Sequence, residues 1–186
     1  MEVAMDIFLE YMVKKKKDAA DYFYIAAMIL SGIITSVLVL YISAFFISYT
    51  MGLQFLVVAF IWYGVCILIR RRNVEYEYSF TNGVLDVDAI YAKRKRSHIL
   101  TVKARDMLLC APVYSGRFQE QYLNVKGLKR SYLAVRSMGE RGLYFADFIT
   151  NAERVRLIFG PPHNMISNMK KYNPNNIHLL DESHPS

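Results

Sequence analysis

Residues 22–69 read YFYIAAMILSGIITSVLVLYISAFFISYTMGLQFLVVAFIWYGVCILI, and none of these 48 positions is Asp, Glu, Lys, Arg or His. As one helix the run would reach about 72 Å at roughly 1.5 Å per residue, whereas a bilayer's hydrocarbon core is about 30 Å thick. Two spans fit and one does not. Polarity rises at Ser48-Tyr49-Thr50-Met51-Gly52-Leu53-Gln54. The break falls there, giving a first helix over 22–47 and a second over 51–69. So short a connection makes the spans antiparallel neighbours. A cleaved secretory signal fits badly, because its apolar region runs only about 7–15 residues and a second span follows at once.

The flanks orient the pair. Lys14, Lys15, Lys16 and Lys17 precede the first span, Arg70, Arg71 and Arg72 end the second, and the connection between them is uncharged. By the positive-inside rule both termini face the cytoplasm, in a multi-pass protein of the inner or plasma membrane. Ala27, Ser31 and Thr35 recur every four residues, with Gly32 and Ser36 beside them. Small residues let helices approach closely, either within the pair or in a homo-oligomer formed through the hairpin. With no ionisable group inside the spans, a proton relay or ion pathway built from this chain alone is not expected. The first thirteen residues place Val3, Ile7, Phe8, Tyr11 and Met12 on one helical face, so a short amphipathic helix is expected there.

Beyond the membrane run, residues 74–81 read VEYEYSFT and alternate strictly. Val74, Tyr76, Tyr78 and Phe80 point one way, and Glu75, Glu77, Ser79 and Thr81 the other, as in a half-buried strand. Asn82-Gly83 follows, a pair suited to the two positive φ angles of a type I′ turn. A two-residue turn sets Phe80 against Leu85, Tyr78 against Val87, Tyr76 against Ala89 and Val74 against Tyr91, all apolar pairs. The same register puts Glu77 opposite Asp88 on the other face, where like charges repel. The nearest cations are Lys93, Arg94, Lys95 and Arg96, on the way into a strand over 97–102. They are candidates for offsetting that repulsion, or for contact with an anionic membrane surface together with residues 14–17 and 70–72.

Further strands are expected over 107–113, 132–137, 143–149 and 154–159. The pair 132–137 and 143–149 reads as a hairpin around Met138-Gly139-Glu140-Arg141-Gly142, after a polar excursion over 114–131. Gly160-Pro161-Pro162 ends the sheet, and Met165, Ile166, Met169 and Tyr172 share one face of a short helix that Pro174 stops. The tail to Ser186 reads as polar and loose.

Strands followed by one amphipathic helix resemble the pleckstrin-homology-like (PH-like) fold. Residues 76–113, YEYSFTNGVLDVDAIYAKRKRSHILTVKARDMLLCAPV, resemble the opening of bacterial membrane-anchored PH-like domains. The chain is also similar to small proteins of Gram-positive bacteria that begin with two helices. The resemblance implies an α+β membrane protein: a transmembrane helical hairpin, then a PH-like antiparallel β-barrel or sandwich of about seven strands capped by a C-terminal helix. The expected division is a basic, amphipathic flank over 1–21, the hairpin over 22–72, a cytoplasmic domain over 73–173 and a tail over 174–186. PH domains that bind phosphoinositides hold the headgroup around an open basic loop between their first two strands. On this reading that loop is Asn82-Gly83, tight and without flanking cations, so the resemblance implies the fold and no headgroup pocket.

Net charge is +7, from 23 Lys and Arg against 16 Asp and Glu. The excess lies beside the membrane run and in residues 73–186, which favours a lipid bilayer over nucleic acid as the charged partner. His98, His163, His178 and His184 are scattered, and Cys66 and Cys110 show no metal-ligand spacing, so no metal or cofactor is expected and the cysteines read as reduced. Neither a phosphate loop nor a nucleophile elbow occurs. The acidic pairs Glu75/Glu77 and Asp86/Asp88 read as an exposed face. The expectation is a non-enzymatic, membrane-anchored adaptor that binds a protein partner or the inner membrane surface. The alternatives are a protective protein against membrane-active peptides and an accessory subunit of a transporter or channel.

Overall fold

The computed structural model describes residues 7–44 and 51–180, which form two compact units. One holds two long helices, α1 (Ala19–Ala44) and α2 (Met51–Arg71). Asp18 and Asp21 start α1: the Asp21 carboxylate accepts the Asp18 backbone N–H at 3.3 Å, as in a capping box. Arg72, just past α2, lies 3.7 Å from Asp21 and stacks 4.1 Å over the Tyr24 ring. The end of α2 therefore meets the start of α1, and the pair is antiparallel. Toward the other end, Ser43 donates to the Gln54 side-chain oxygen at 2.6 Å. Between these points Gly32 permits close approach, since a Cβ there would sit 3.1 Å from Val65 Cγ2.

The small-residue stripe divides. Gly32 and Ser36 are buried against α2, while Ala27, Ser31 and Thr35 face outward. Elsewhere the helices show Phe23, Leu30, Ile34, Leu38, Phe55 and Phe60 to their surroundings. Their most apolar windows have mean hydropathies of 2.4 and 2.3, yet only 11% and 6% of those windows are buried within the protein. A soluble core helix would hide such a surface; these two are long and apolar enough to cross a membrane. Residues 45–47 of the expected first span, and 48–50 of the connection, lie outside the described residues.

Among the described residues the other unit contains eight strands. β1 (Phe8–Lys14), β2 (Val74–Thr81), β3 (Val84–Tyr91) and β4 (Lys95–Lys103) form one sheet in that order. The second contains β5 (Met107–Pro112), β6 (Leu128–Ala134), β7 (Tyr144–Thr150) and β8 (Glu153–Phe159), ordered β5-β7-β8-β6. Asn82 and Gly83 both take positive φ, 48° and 89°, as the tight turn requires. Ala92 N–H bonds Asn73 C=O at 2.8 Å, which agrees with the register inferred from the alternation. Tyr78, Phe80, Leu85, Val87 and Ala89 are buried on the inner face.

The N-terminal segment departs from expectation. Residues 8–14 form an edge strand and not an amphipathic helix, antiparallel to β2, with Leu9 opposite Phe80 and Tyr11 opposite Tyr78. Residues 1–6 of the expected helix lie outside the described residues. Ile7, Leu9 and Val13 pack on the core while Phe8 and Met12 stay exposed. Period two, not 3.6, decides the segment once β2 offers a partner. This strand brings the count to eight.

The hairpin expected between 132–137 and 143–149 does not form. β6 runs parallel to β8, with Tyr132 opposite Leu157, and β7 pairs with β5 and β8. The β7–β8 connection is the tight one, with Asn151 and Ala152 at φ 50° and 62°. Inner faces of both sheets and α4 (His163–Tyr172) share one core, including Phe80, Phe148, Leu157, Phe159, Met165, Ile166 and Met169. Each such side chain contributes about 1.5–3 kcal/mol when fully buried. Tyr78 crosses this core: its hydroxyl donates to Ala134 C=O and accepts Gly160 N–H at 3.3 Å. Burial pushes its phenol well above the ordinary tyrosine range.

The tail is also docked where it is described. Asn173 and Asn176 side chains donate to Met107 C=O at 3.0 and 3.2 Å, Ile177 is buried, and Cys110 N–H bonds Asn176 C=O at 2.8 Å. Through Leu180 the tail is therefore an added edge on β5, contrary to a loose tail from Pro174.

Candidate functional site

The register of the first sheet decides where the chain leaves it. Lys14, the last residue of β1, is the partner of Glu75 near the start of β2. The helical pair is therefore an insertion between two neighbouring strands, joined through residues 15–18 before α1 and 72–73 after α2. The connection between the first two strands is thus the pair of apolar helices and not Asn82-Gly83. Basic residues flank it on both sides: Lys14, Lys15, Lys16 and Lys17 before, Arg70, Arg71 and Arg72 after.

The Asn82-Gly83 turn is sealed. Ile7 N–H donates to the Asn82 side-chain oxygen at 3.1 Å, and Asn82 N–H to Ile7 C=O at 3.2 Å. Ala104 N–H bonds Gly83 C=O at 2.8 Å, and a Cβ on Gly83 would lie 2.7 Å from the Tyr172 ring.

The candidate cations fall into two groups. Arg96 is committed to the sheet. Its guanidinium bonds both Glu77 carboxylate oxygens and stands 3.7 Å from Asp88. The hydrogen bond to Glu77 raises the already high Arg96 pKa. Glu77 is only 4% exposed, lying under β1 with Met12 opposite, so the acidic face is not open there. Arg72 is engaged with Asp21 and Tyr24. Lys93, Arg94 and Lys95 are exposed at the β3–β4 turn and make no ion pair among the described residues. Lys14, Lys16, Lys17, Arg70 and Arg71 likewise make no ion pair among the described residues, with Lys17 half-buried and the others exposed, while Lys15 has an interaction of its own.

Beside Arg96 lies a polar cluster that the sequence pattern did not single out. His98 Nδ1 is 2.8 Å from Asp88, and His98 Nε2 is 3.1 Å from Thr101 Oγ1. Hydroxyl, imidazole and carboxylate are thus in line, as in a nucleophile set. However, Thr101 donates its one hydroxyl proton to Asp86, so the imidazole does not hold it as a base would. Among the described residues no group of three His, Cys, Asp or Glu is placed to hold a metal.

A second set missing from the sequence reading is Asp147 with Arg156. Arg156 Nε and Nη2 donate to Asp147 at 2.7 and 2.9 Å, and the guanidinium also donates to the carbonyls of Tyr122 and, at 3.0 Å, Gln121. It stacks 4.7 Å from the Phe145 ring. Buried on neighbouring strands, this pair pins the excursion that carries α3 (Gln119–Leu123) to the second sheet. Its role is positional.

A family model described as "Bacterial PH-like domain (DUF6106)" matches residues 5–179, from before β1 to the docked tail, with both apolar helices inside the match. No curated protein and no solved structure matches the chain. With that match spanning all of the described strands, the inserted helices and α4, the chain belongs to the bacterial PH-like domain family DUF6106.

Proposed function

We propose that this protein is a membrane-anchored, non-catalytic adaptor whose PH-like domain works at the cytoplasmic face of the membrane. The observation that carries this reading is the insertion of the two apolar helices between paired strands, with Lys14 opposite Glu75. Two crossings return the chain to the side it left, as pairing of β1 with β2 requires. Residues 14–17 and 70–72 lie at both crossings, which favours the cytoplasm as that side. An anionic surface attracts basic residues near it by about 1 kcal/mol each, so the unpaired Lys93, Arg94 and Lys95 would orient a domain that the helices already tether. The domain would then be free to receive a protein partner.

The test is crosslinking in native membranes, with recovery of the chain in mild detergent. A reproducible protein partner crosslinked to the β-rich unit is the expected result. Recovery of no partner, together with no binding of anionic vesicles by the domain freed of its helices, would contradict the adaptor reading.

A further inference from the structure

β1 is an edge of the first sheet: β2 pairs with one side of it, and among the described residues no strand pairs with the other. Its ladder to β2 runs from Phe8 to Lys14 without a register shift, so the edge is regular. One hydrogen bond shows which residues present it. Asn82 N–H donates to Ile7 C=O at 3.2 Å, one step before the Phe8–Thr81 pair. In an antiparallel ladder the main-chain groups of successive residues point alternately toward and away from the partner strand. Ile7, Leu9, Tyr11 and Val13 therefore turn to β2, while Phe8, Glu10, Met12 and Lys14 turn their N–H and C=O groups to the open side. Leu9 and Val13 pack on the core, so the side chains of Phe8, Glu10, Met12 and Lys14 share the outer face, where all four are exposed.

A regular edge with exposed apolar side chains is one that proteins blunt or cover, and Phe8 and Met12 are 63% and 56% exposed. Charge selects the cover. Glu10 and Lys14 lie symmetrically about Met12 with opposite sign. Antiparallel pairing with a second β1, about a two-fold axis at Met12, sets Glu10 of each copy against Lys14 of the other. Met12 then meets Met12 on the outer face, and Tyr11 meets Val13 on the inner. The residues placed in bonding positions are the ones whose main-chain groups are open. Other centres fit worse. One at Glu10 sets two carboxylates face to face, and one at Lys14 sets two ammonium groups face to face. One at Tyr11 sets Glu10 against Met12 and Phe8 against Lys14, and one at Val13 sets Met12 against Lys14. With the centre at Met12, Lys14 stands between its own sheet's Glu75 and the second copy's acidic side chain.

We propose that the open side of β1 pairs with β1 of a second copy, making a two-fold dimer in which the first sheet continues from one copy into the other. The Met12–Met12 position and both Glu10–Lys14 positions exchange main-chain bonds, and the two ion pairs fix the register. A two-fold axis along the membrane normal places both tethered copies on the same side of one bilayer. Confinement there raises the effective concentration, which favours a ladder as short as residues 10–14. Pairing of copies is independent of whether the domain also takes another protein partner.

The test uses the full chain in native membranes, with Cys66→Ala removing the exposed thiol and the buried Cys110 kept. Met12→Cys should give a disulfide-linked dimer under mild oxidation, since Cα atoms of a directly opposed bonding pair lie about 5.5 Å apart. Phe8→Cys should give at least tenfold less, because its two copies would stand roughly 27 Å apart along the strands at about 3.4 Å per residue. In the Met12→Cys background, Glu10→Lys and Lys14→Glu should each lower crosslinking at least fivefold when expressed alone. Co-expression of those two chains re-forms both ion pairs and should restore the crosslink between them. Met12→Pro provides a second variant should Lys14→Glu fold poorly. It removes an N–H that β2 does not use, and should abolish co-purification of two differently tagged copies. Equal crosslinking of Met12→Cys and Phe8→Cys, no recovery in the mixed pair, or no crosslink at all would each overturn the proposal. A tagged dimer that survives Met12→Pro would overturn it too, by placing the contact between copies elsewhere, as in the helices.

Discussion

Lys14 lies opposite Glu75 across the β1–β2 ladder, and everything between them in the chain is the helical segment with its links. A tight turn should therefore replace that segment. Joining Lys14 to Glu75 through Asn-Gly should yield a water-soluble monomer in which Leu9 still faces Phe80 and Tyr11 faces Tyr78. Cross-strand nuclear Overhauser effects read the register directly; a shifted register or an unfolded chain would show that the helices do more than interrupt the sheet.

Gly83 combines a positive φ of 89° with the approach of the Tyr172 ring. Gly127 has φ 77° but open space where a Cβ would go. Gly127→Ala should cost about 1–2 kcal/mol from conformation alone. Gly83→Ala should cost roughly 1–3 kcal/mol more, from overpacking against α4. Denaturant unfolding of the two variants of the helix-free domain separates the terms, and equal losses would remove the argument for a sealed turn.

Arg156→Met should destabilise that domain by about 3 kcal/mol, because it removes the buried, two-point partner of Asp147 and leaves it only the partly exposed Arg154 at 3.2 Å. It should also speed amide exchange over residues 116–123, because the carbonyls of Gln121 and Tyr122 lose the donor that holds this segment to the sheet. Adding Asp147→Leu should restore part of the stability but not the protection. Recovery of both would assign the loop's order to something other than Arg156.

The basic run should separate into two behaviours. Arg96→Gln should lower the melting temperature, since Glu77 is buried beneath it, with little effect on vesicle binding. Lys93→Gln, Arg94→Gln and Lys95→Gln should leave melting nearly unchanged, and each should weaken binding to anionic vesicles about fivefold, an effect that salt erases. The reverse ranking would overturn the assignment of Arg96 to the sheet.

His178 provides a pH signature. Burial lowers its pKa, and Arg117 and Lys170 lower it further. The unfolded chain then takes up this proton first as pH falls, so its contribution to stability is present above about pH 6.5 and is lost below it. Amide exchange at residues 177–180 should accelerate from pH 7 to 5 in the wild type and less so in His178→Phe, which keeps the stacking on Phe118. Identical acid profiles would sink this account of the tail.

The β2–β3 hairpin was legible because alternation, turn residues and apolar pairs all give one register. The membrane helices were legible from length and missing charge. β1 was not, because Ile7, Leu9, Tyr11 and Val13 alternate while Phe8, Tyr11 and Met12 also fit a helical face, and the partner strand lies beyond two helices in sequence. β6 misled for a related reason: Gly139 and Gly142 suggest a local turn, whereas the ladder that forms is parallel and skips β7. Nothing local announces that Asp147 and Arg156 become a buried pair, or that Arg96 among four cations alone reaches Glu77. Those outcomes depend on which strands become neighbours.

The most direct measurement concerns sidedness. In intact cells, a fluorescent reporter fused after Ser186 and a small labelling tag inserted between Ser48 and Thr50 report the two ends of the hairpin independently. The account predicts a fluorescent cytoplasmic C-terminus and a tag accessible only from outside. An external C-terminus would contradict the proposed cytoplasmic placement, and a tag inaccessible from outside beside a cytoplasmic C-terminus would show that the helices do not cross the membrane.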